Sequence, residues 1–176
     1  MPLASCALTQ GYVQDCSNFF GGVNNVFIIE YQNLSAITIV AGVVTAMTKV
    51  TAKFFRKYEI EAHTGEADDN LTVKPEMGTR STKQSVKFPI NGMSASVRAE
   101  IELLAQNRLI FVIEDNNGIF YMYGKDFGLR LQSVKAGTGT ALGDRSGYDF
   151  VFEGEEKFIA FSVQAAVAAA LETPGA

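Results

Sequence analysis

Hydrophobic and polar residues alternate with a period of two along much of the chain, a pattern typical of β-strands with one solvent-exposed face. Two runs, NVFIIEY at 25–31 and SAITIVAG at 35–42, are rich in β-branched and aromatic residues and predict buried strands. Further strands are predicted at AKFFRKYEIEA (52–62), LRLQSVK (129–135), YDFVFEGEE (148–156) and FIAFSV (158–163). The chain is therefore expected to be mainly β.

The alternation also assigns residues to faces. In the 148–156 strand the apolar side is Tyr148, Phe150 and Phe152. In the 52–62 strand one side consists of Phe54, Arg56, Tyr58 and Ile60, and the other of Phe55, Lys57, Glu59 and Glu61. Because three of its four members are charged, the second set is expected to face water or a channel.

One helix and one tight hairpin interrupt this pattern. Helical spacing predicts a helix at 94–107, with Val97, Ile101, Leu104 and Arg108 along one stripe and Ser96 capping its start. The runs RLIFVIED and IFYMYG follow, separated by NNG, and predict a hairpin because Asn117 and Gly118 both tolerate positive φ.

A polar segment, HTGEADDNLTVKPEMGTRSTKQS at 63–85, has no sustained helical or strand period. It is expected to be a long loop between paired strands that is able to reach a neighbouring molecule. Its parts EADDN and KPEMGTRSTK carry opposite charges, which suit a contact between copies. The alanine-rich end at 164–176 is expected to form a short helix or a packed arm.

The glycine-rich stretch AGTGTALGDRSG at 136–147 raises the possibility of a phosphate site. A dinucleotide fingerprint requires G-x-G-x-x-G at a strand-to-helix turn, whereas Gly137, Gly139 and Gly143 are spaced one residue too long and a strand follows. A P-loop is also excluded, since GIFYMYGK has five residues between its glycines instead of four. The stretch is therefore predicted to be a loop between two strands.

Residues with catalytic potential are few. His63, the only histidine, lies in the polar segment with no Ser or Cys motif near it. The pairs Asp68-Asp69 and Glu155-Glu156 stand in charged, turn-like contexts, where solvation explains them better than acid–base chemistry. EADDN lacks the ligand alternation of an EF-hand. We therefore predict no catalytic residues, no cofactor-binding residues and no metal ligands, and the protein is expected not to be an enzyme.

Cys6 and Cys16 are expected to be free, partly buried thiols, with a bridge between them or an inter-subunit contact as the alternatives. Tyr121 and Tyr123 share a strand face, where packing explains them better than base stacking. The net charge of −4 provides no basic field to hold nucleic acid. The chain has no apolar run of about 18 residues and no secretion signal at its start, so no membrane association is expected.

The order of these elements resembles the subunits of phage tail tubes and of related contractile injection systems, over residues 25–163. The stretch IEDNNGIFYMYG, followed by GLRLQSVKAGTGTALGDRSGYDFVFEGEEKFIAFSV, is similar to virion structural proteins of tailed phages. The resemblance implies a β-sandwich or barrel with one flanking α-helix, extended loops and terminal arms. It also implies a homo-oligomeric ring, commonly hexameric, that stacks into a conduit through which DNA passes without specific binding.

On this interpretation residues 1–176 form a single tail-tube-like domain, with a leader at about 1–24 and a tail at about 164–176. Its expected partners are other copies of itself and other tail or connector proteins of the virion. The protein is expected to be assembled in the host cytoplasm and to be located in the virion tail. Two alternatives stay open from the residues alone. One is a head-to-tail connector or ring protein, and the other is a β-sandwich module that binds carbohydrate or protein.

Overall fold

Strands dominate the computed structural model, which describes residues 11–12, 20–61, 63–141 and 143–175. It is 54% strand and 15% helix, so the predicted mainly β class is confirmed. In chain order the elements are β1 Val23–Glu30, β2 Leu34–Val40, β3 Val43–Lys49, β4 Arg56–Glu59, β5 Glu66–Lys74, β6 Thr79–Asn91, α1 Ala95–Gln106, β7 Leu109–Asp115, β8 Phe120–Tyr123, β9 Arg130–Gly137, β10 Gly147–Glu156, β11 Phe161–Val163 and α2 Ala165–Ala169.

The strands form two sheets. The seven-stranded sheet has the order β2-β3-β11-β8-β7-β1-β4, and the four-stranded sheet has the order β5-β6-β10-β9. All strand pairs are antiparallel except β11 with β3. Within the described ranges β5 and β9 each pair with one strand only, so they are the two edges of the four-stranded sheet.

The main core lies between the facing sides of the two sheets. Phe88, Phe150 and Phe152 stack on the four-stranded sheet, and Phe152 meets Phe111 of the opposite sheet with ring centroids 4.8 Å apart. The alternation in 148–156 correctly predicted this inward set, which includes Tyr148. Burying each of these rings stabilises the fold by about 1.5–3 kcal/mol, so this cluster holds the sheets together.

A second apolar cluster covers the opposite face of the seven-stranded sheet. Phe27, Ile29 and Val112 project into it, and Phe55, Ala168 and Leu171 lie over them. The prediction that Phe55 shares a solvent-exposed face was wrong, because its side chain is fully buried. Strand β4 begins only at Arg56, and the N–H of Phe55 donates to the carbonyl of Leu171. Apolar residues therefore cover both sides of this sheet. At its edge, the alternation of polar and apolar residues does not predict which side chains are exposed.

Helix α1 was predicted correctly, with Leu104 buried and Val97 and Ile101 packed against the core. Arg108 does not belong to this stripe, because α1 ends at Gln106 and Arg108 is exposed. The predicted cap was wrong by two residues. Ser94 has the extended backbone of an N-cap, and its hydroxyl accepts a hydrogen bond from the N–H of Val97. Ser96 lies inside the first turn instead, where its own backbone is already helical.

The β7–β8 hairpin was also predicted correctly. Of the two turn residues singled out, only Gly118 has a positive φ, of 75°. The carboxylate of Asp115 accepts hydrogen bonds from the N–H groups of Asn117 and Ile119. A side-chain acceptor therefore closes the turn, and Asn117 does not have to enter the left-handed region.

The 63–85 segment is not the long loop that its polarity predicted. Most of it forms a β-hairpin in which β5 pairs with β6 from Glu66↔Lys87 to Lys74↔Thr79. The 3₁₀ turn Pro75–Met77 and Gly78 in the left-handed region connect the strands. Both faces of this hairpin are largely polar, so its sequence shows no hydrophobic pattern with a period of two. Its two strands are defined by the hydrogen bonds between their backbones.

The remaining connections follow the predictions more closely. The glycine-rich stretch joins β9 to β10, which are paired antiparallel neighbours. The end of the chain contains both alternatives that were considered, since the short helix α2 is followed by a segment packed on the second cluster through Leu171. The expected leader ends earlier than residue 24, because β1 begins at Val23.

Candidate functional site

The β5–β6 hairpin extends beyond the sandwich, and we refer to its distal, solvent-exposed part, residues 70–81, as the arm. Ala67 of β5 and Val86 of β6 pack in the main core near its base. Three apolar side chains of the arm are instead solvent-exposed: Leu71 (48%), Val73 (58%) and Met77 (73%). Exposed aliphatic side chains grouped on a projecting element are typical of a surface that another molecule covers.

Charge is distributed unevenly along this hairpin. Glu66 and Asp68 lie at its base, and Lys74, Glu76 and Arg80 lie near its distal end, where two cations outnumber one carboxylate. The ammonium of Lys87 is 3.0 Å from a carboxylate oxygen of Glu66 and 3.8 Å from one of Asp68. Among the described residues neither Lys74 nor Arg80 forms an ion pair. Lys74 is therefore available to a carboxylate outside the subunit, and Arg80, whose guanidinium lies 5.2 Å from the ring centroid of Phe158, has no carboxylate partner among the described residues.

The pKa values of the two carboxyl groups at the base are shifted in opposite directions. The hydrogen bond from Lys87 lowers the pKa of Glu66, whereas burial and the adjacent Glu66 charge raise the pKa of Asp68. Lys87 also lies closer to Glu66 than to Asp68. One lysine thus faces two carboxylates, and the base of the hairpin keeps a negative charge.

Two polar side chains, one exposed and one buried, anchor the hairpin to two loops. The carboxylate of Asp69 accepts a hydrogen bond from the N–H of Ala160 at 3.0 Å. Gln84 accepts one from the N–H of Gly124 at 2.8 Å and donates one to the carbonyl of Phe158 at 3.3 Å. Because Gln84 is shielded from water, its two bonds in particular fix the direction in which the arm leaves the sandwich.

Glu156 anchors the turn that follows β8. Its carboxylate accepts hydrogen bonds from the N–H groups of Asp126, Phe127 and Gly128 at 2.7–3.0 Å. Burial raises the pKa of Glu156 despite these three donors. Beside this turn, Phe127 and Phe158 are half exposed, with Lys157 and Arg80 lying over their rings. Aromatic rings and cations therefore surround the base of the arm.

A groove of about 330 Å³ lies at the other end of the hairpin. Its lining includes the side chains of Phe20, Val23, Ile113, Tyr121 and Tyr123. Three carboxylates also line it, from Glu66, Asp68 and Asp115. The groove therefore combines an apolar floor with negative charge, which suits an occupant that is apolar and cationic.

The glycine-rich loop holds itself together through Asp144. The carboxylate of this residue accepts hydrogen bonds from the N–H groups of Thr140 and Ala141, each at 2.8 Å, and these bonds lower its pKa. Two of the loop's N–H groups thus point to an internal acceptor. The nearby Lys135 and Arg145 are solvent-exposed.

The other residues considered in the sequence are dispersed. His63 is exposed and has a left-handed backbone with φ of 63°. The turn-like context predicted for the carboxylate pairs was wrong, since Asp68-Asp69 lie on β5 and Glu155-Glu156 end β10, with Glu156 buried. Tyr121 and Tyr123 pack on the main core and also line the groove. Cys6 and Cys16 lie outside the described residues.

Within the described ranges, no group of three or more His, Cys, Asp or Glu side chains is arranged to hold a metal ion. No helix there is both long enough and apolar enough to cross a membrane.

Sequence reasoning missed the groove and the network beneath the arm. The groove joins residues from four separate parts of the chain, and no spacing marks such a set. The network contains Gln84, whose position between Val86 and Thr82 on the inward side of β6 was a usable signal. A polar side chain at an inward position requires a buried partner, which here is the backbone of two loops.

No family model, curated protein or solved structure matches this chain.

Proposed function

We propose that this protein is a tail tube subunit of a phage virion, which self-assembles into stacked rings that form the conduit for DNA. The single observation that carries the proposal is the arm. It extends the sheet beyond its own core, exposes Leu71, Val73 and Met77, and presents two cations without carboxylate partners in the subunit. Such an element adds little to the stability of a lone subunit but provides a contact between subunits.

The edges of the four-stranded sheet support assembly from the side. Within the described residues, edge strands β5 and β9 each leave one side of their backbone unpaired. An exposed strand edge can pair with a strand of another copy, and a head-to-tail contact of this kind closes into a ring when the rotation per subunit is suitable. Few basic residues are clustered on the chain, so a polyanion passing along it is not held by phosphate neutralisation.

An arm-shortened variant tests this function. Residues 71–82 are replaced by Asn-Gly, which preserves Asp69 and Gln84 and provides a two-residue turn. We expect the intact protein to form rings and tubes in negative-stain images, and the variant to fold normally by circular dichroism but to form no tubes. Replacing Ala141 by Ser in the glycine-rich loop serves as a control that alters a different exposed loop.

The outcomes separate the alternatives. Tubes of normal length from the shortened protein would contradict the role of the arm in stacking. Single rings that never stack, from the intact protein, would favour a connector. A monomer at every concentration and salt level would refute the proposal and favour a binding module.

Because exposed ion pairs are screened over about 8 Å at physiological ionic strength, assembly is expected to weaken as salt rises.

A further inference from the structure

We infer that the groove lined by Phe20, Tyr121 and Asp68 is the receptor for the arm of a second copy of this chain. In this contact Val73 and Met77 of the incoming arm cover the apolar floor, and Lys74 and Arg80 approach the carboxylates of the groove. The inference rests on the proposed self-assembly and identifies the two surfaces that meet between stacked copies.

Chemical complementarity is the first argument. The groove combines exposed aromatic surface, with Phe20 64% exposed, and three carboxylates. Lys87 pairs with two of them, Glu66 and Asp68, whereas the carboxylate of Asp115 accepts hydrogen bonds within its own turn. An occupant therefore has to supply both apolar surface and positive charge. The distal arm supplies both, since Met77 is 73% exposed and Lys74 and Arg80 form no ion pair within the described residues.

Geometry excludes the chain's own arm as the occupant. The groove lies at the Glu66 end of β5, and the tip of the arm follows Lys74 at the other end. A nine-residue strand spans about 30 Å at ~3.3 Å per residue. Backbone pairing with β6 along the whole of β5 keeps this strand extended. The tip therefore cannot fold back into the groove of its own subunit.

The same separation determines the form of the assembly. Two complementary surfaces at opposite ends of one element produce a heterologous contact, and repeating it by translation produces an open stack and not a closed dimer. The tip of each subunit enters the groove of the next, so successive rings are displaced along the hairpin by about 30 Å, the length of β5 at ~3.3 Å per residue.

A pair of charge changes tests the contact in the full-length protein. Asp68→Lys alone and Arg80→Glu alone are each expected to raise the concentration required for stacking by about fivefold or more, because each places like charges together. The double variant Asp68→Lys with Arg80→Glu restores an opposite pair and is expected to recover most of the loss. A double variant that stacks no better than the worse single variant would overturn the inference.

The apolar part of the contact has its own matched control. Met77→Asp is expected to abolish stacking while leaving rings intact. Met93→Asp changes another exposed methionine that belongs to neither surface, and it is expected to stack normally. Equal effects of the two substitutions would contradict a specific role for the arm tip.

Cross-linking identifies the occupant directly. In a variant with Cys6 and Cys16 replaced by Ser, Phe20→Cys and Met77→Cys are introduced together and oxidised after assembly. We expect a ladder of covalent multimers, since the two positions are too far apart to join within one subunit. If tubes form without any ladder, the groove has another occupant, such as residues preceding Phe20, and only this inference fails. If no rings or tubes form from the unaltered protein, the proposed function fails as well.

Discussion

The backbones of Leu109 and Leu129 exchange two hydrogen bonds. The N–H of Leu109 donates to the carbonyl of Leu129 at 2.9 Å, and the reverse bond is 2.8 Å long. Leu109 begins β7 of the seven-stranded sheet, and Leu129 immediately precedes β9 of the four-stranded sheet. Both side chains are buried. This pair therefore joins the two sheets at one corner of the sandwich.

Gly124 packs against this corner, and its replacement by Ala is expected to destabilise the fold by about 2–4 kcal/mol. Its φ of 77° disfavours any side chain, and an added Cβ would lie 2.9 Å from the carbonyl oxygen of Leu109. Gly118→Ala is the matched control, since φ is 75° there but no atom lies within 4 Å. Urea unfolding of both variants measures the difference. Equal losses of stability in the two variants would mean that the backbone at this corner can shift to accommodate the added Cβ.

Sequence patterns predicted the elements whose side chains have a clear inside and outside. Phe150 and Phe152 alternate with residues on the outer face, and α1 shows a stripe ending in Leu104. The patterns failed for the hairpin at 63–85, where even buried side chains such as Thr82 and Gln84 are polar, so that hydrophobicity carries no period. Its strands are defined by backbone pairing and by the turn at Gly78, which composition does not reveal.

Leu104→Asp is expected to destabilise the protein by about 3–5 kcal/mol, because an unpaired carboxylate would enter the main core. Leu103→Asp, one position earlier, is expected to change stability by less than about 0.5 kcal/mol, since Leu103 is 54% exposed and Leu104 only 6%. Thermal melting of the two variants checks the prediction. Similar melting temperatures would show that the orientation of α1 is wrong.

The candidate site was harder to predict from sequence than the fold. The opposite charges of EADDN and KPEMGTRSTK were visible, but their separation along an extended hairpin requires the pairing of β5 with β6. The groove requires contacts between residues as distant in sequence as Phe20 and Tyr121. Long-range packing creates such a site, and local propensity contains no information about it.

The stabilising effect of Glu156, relative to a Glu156→Gln variant, is expected to decrease as the pH rises from about 4.5 to 7. Burial raises the pKa of Glu156 above its ordinary value of 4.5. A raised pKa means that the folded state favours the protonated form, so the contribution is complete below the unfolded-state pKa and is lost as pH rises through the folded-state value. Urea unfolding of both proteins across this range measures the difference.

The neighbouring substitution Glu155→Gln is the control for this pH series, since it removes the same formal charge at an exposed position. The contribution of Asp69, whose pKa burial also raises, is present in all three proteins and cancels in the comparison. If the difference in unfolding free energy increased with pH, the three N–H donors would stabilise the charged carboxylate of Glu156 by more than its desolvation costs.

Lys49→Met is expected to release the end of the chain and to destabilise the fold by about 1–3 kcal/mol. The ammonium of Lys49 donates hydrogen bonds to the carbonyls of Ala170, Leu171 and Thr173, at 2.5–3.2 Å. Methionine has a similar length but no donor, so these three carbonyls would lose their partner while the packing volume is retained. Burial lowers the pKa of Lys49, which shows that the ammonium is partly desolvated and needs these acceptors.

Hydrogen exchange distinguishes local release from a general loss of stability. The N–H of Phe55 donates to the carbonyl of Leu171, and the N–H of Ala52 donates to that of Gly175. Both amides are expected to exchange faster in Lys49→Met, whereas the amides of β10 are expected to keep their protection under conditions of local opening. Lys53→Met, at an exposed position in the same segment, is expected to leave all of them unchanged. Unchanged exchange at Phe55 in Lys49→Met would show that the burial of Leu171 alone holds the segment in place.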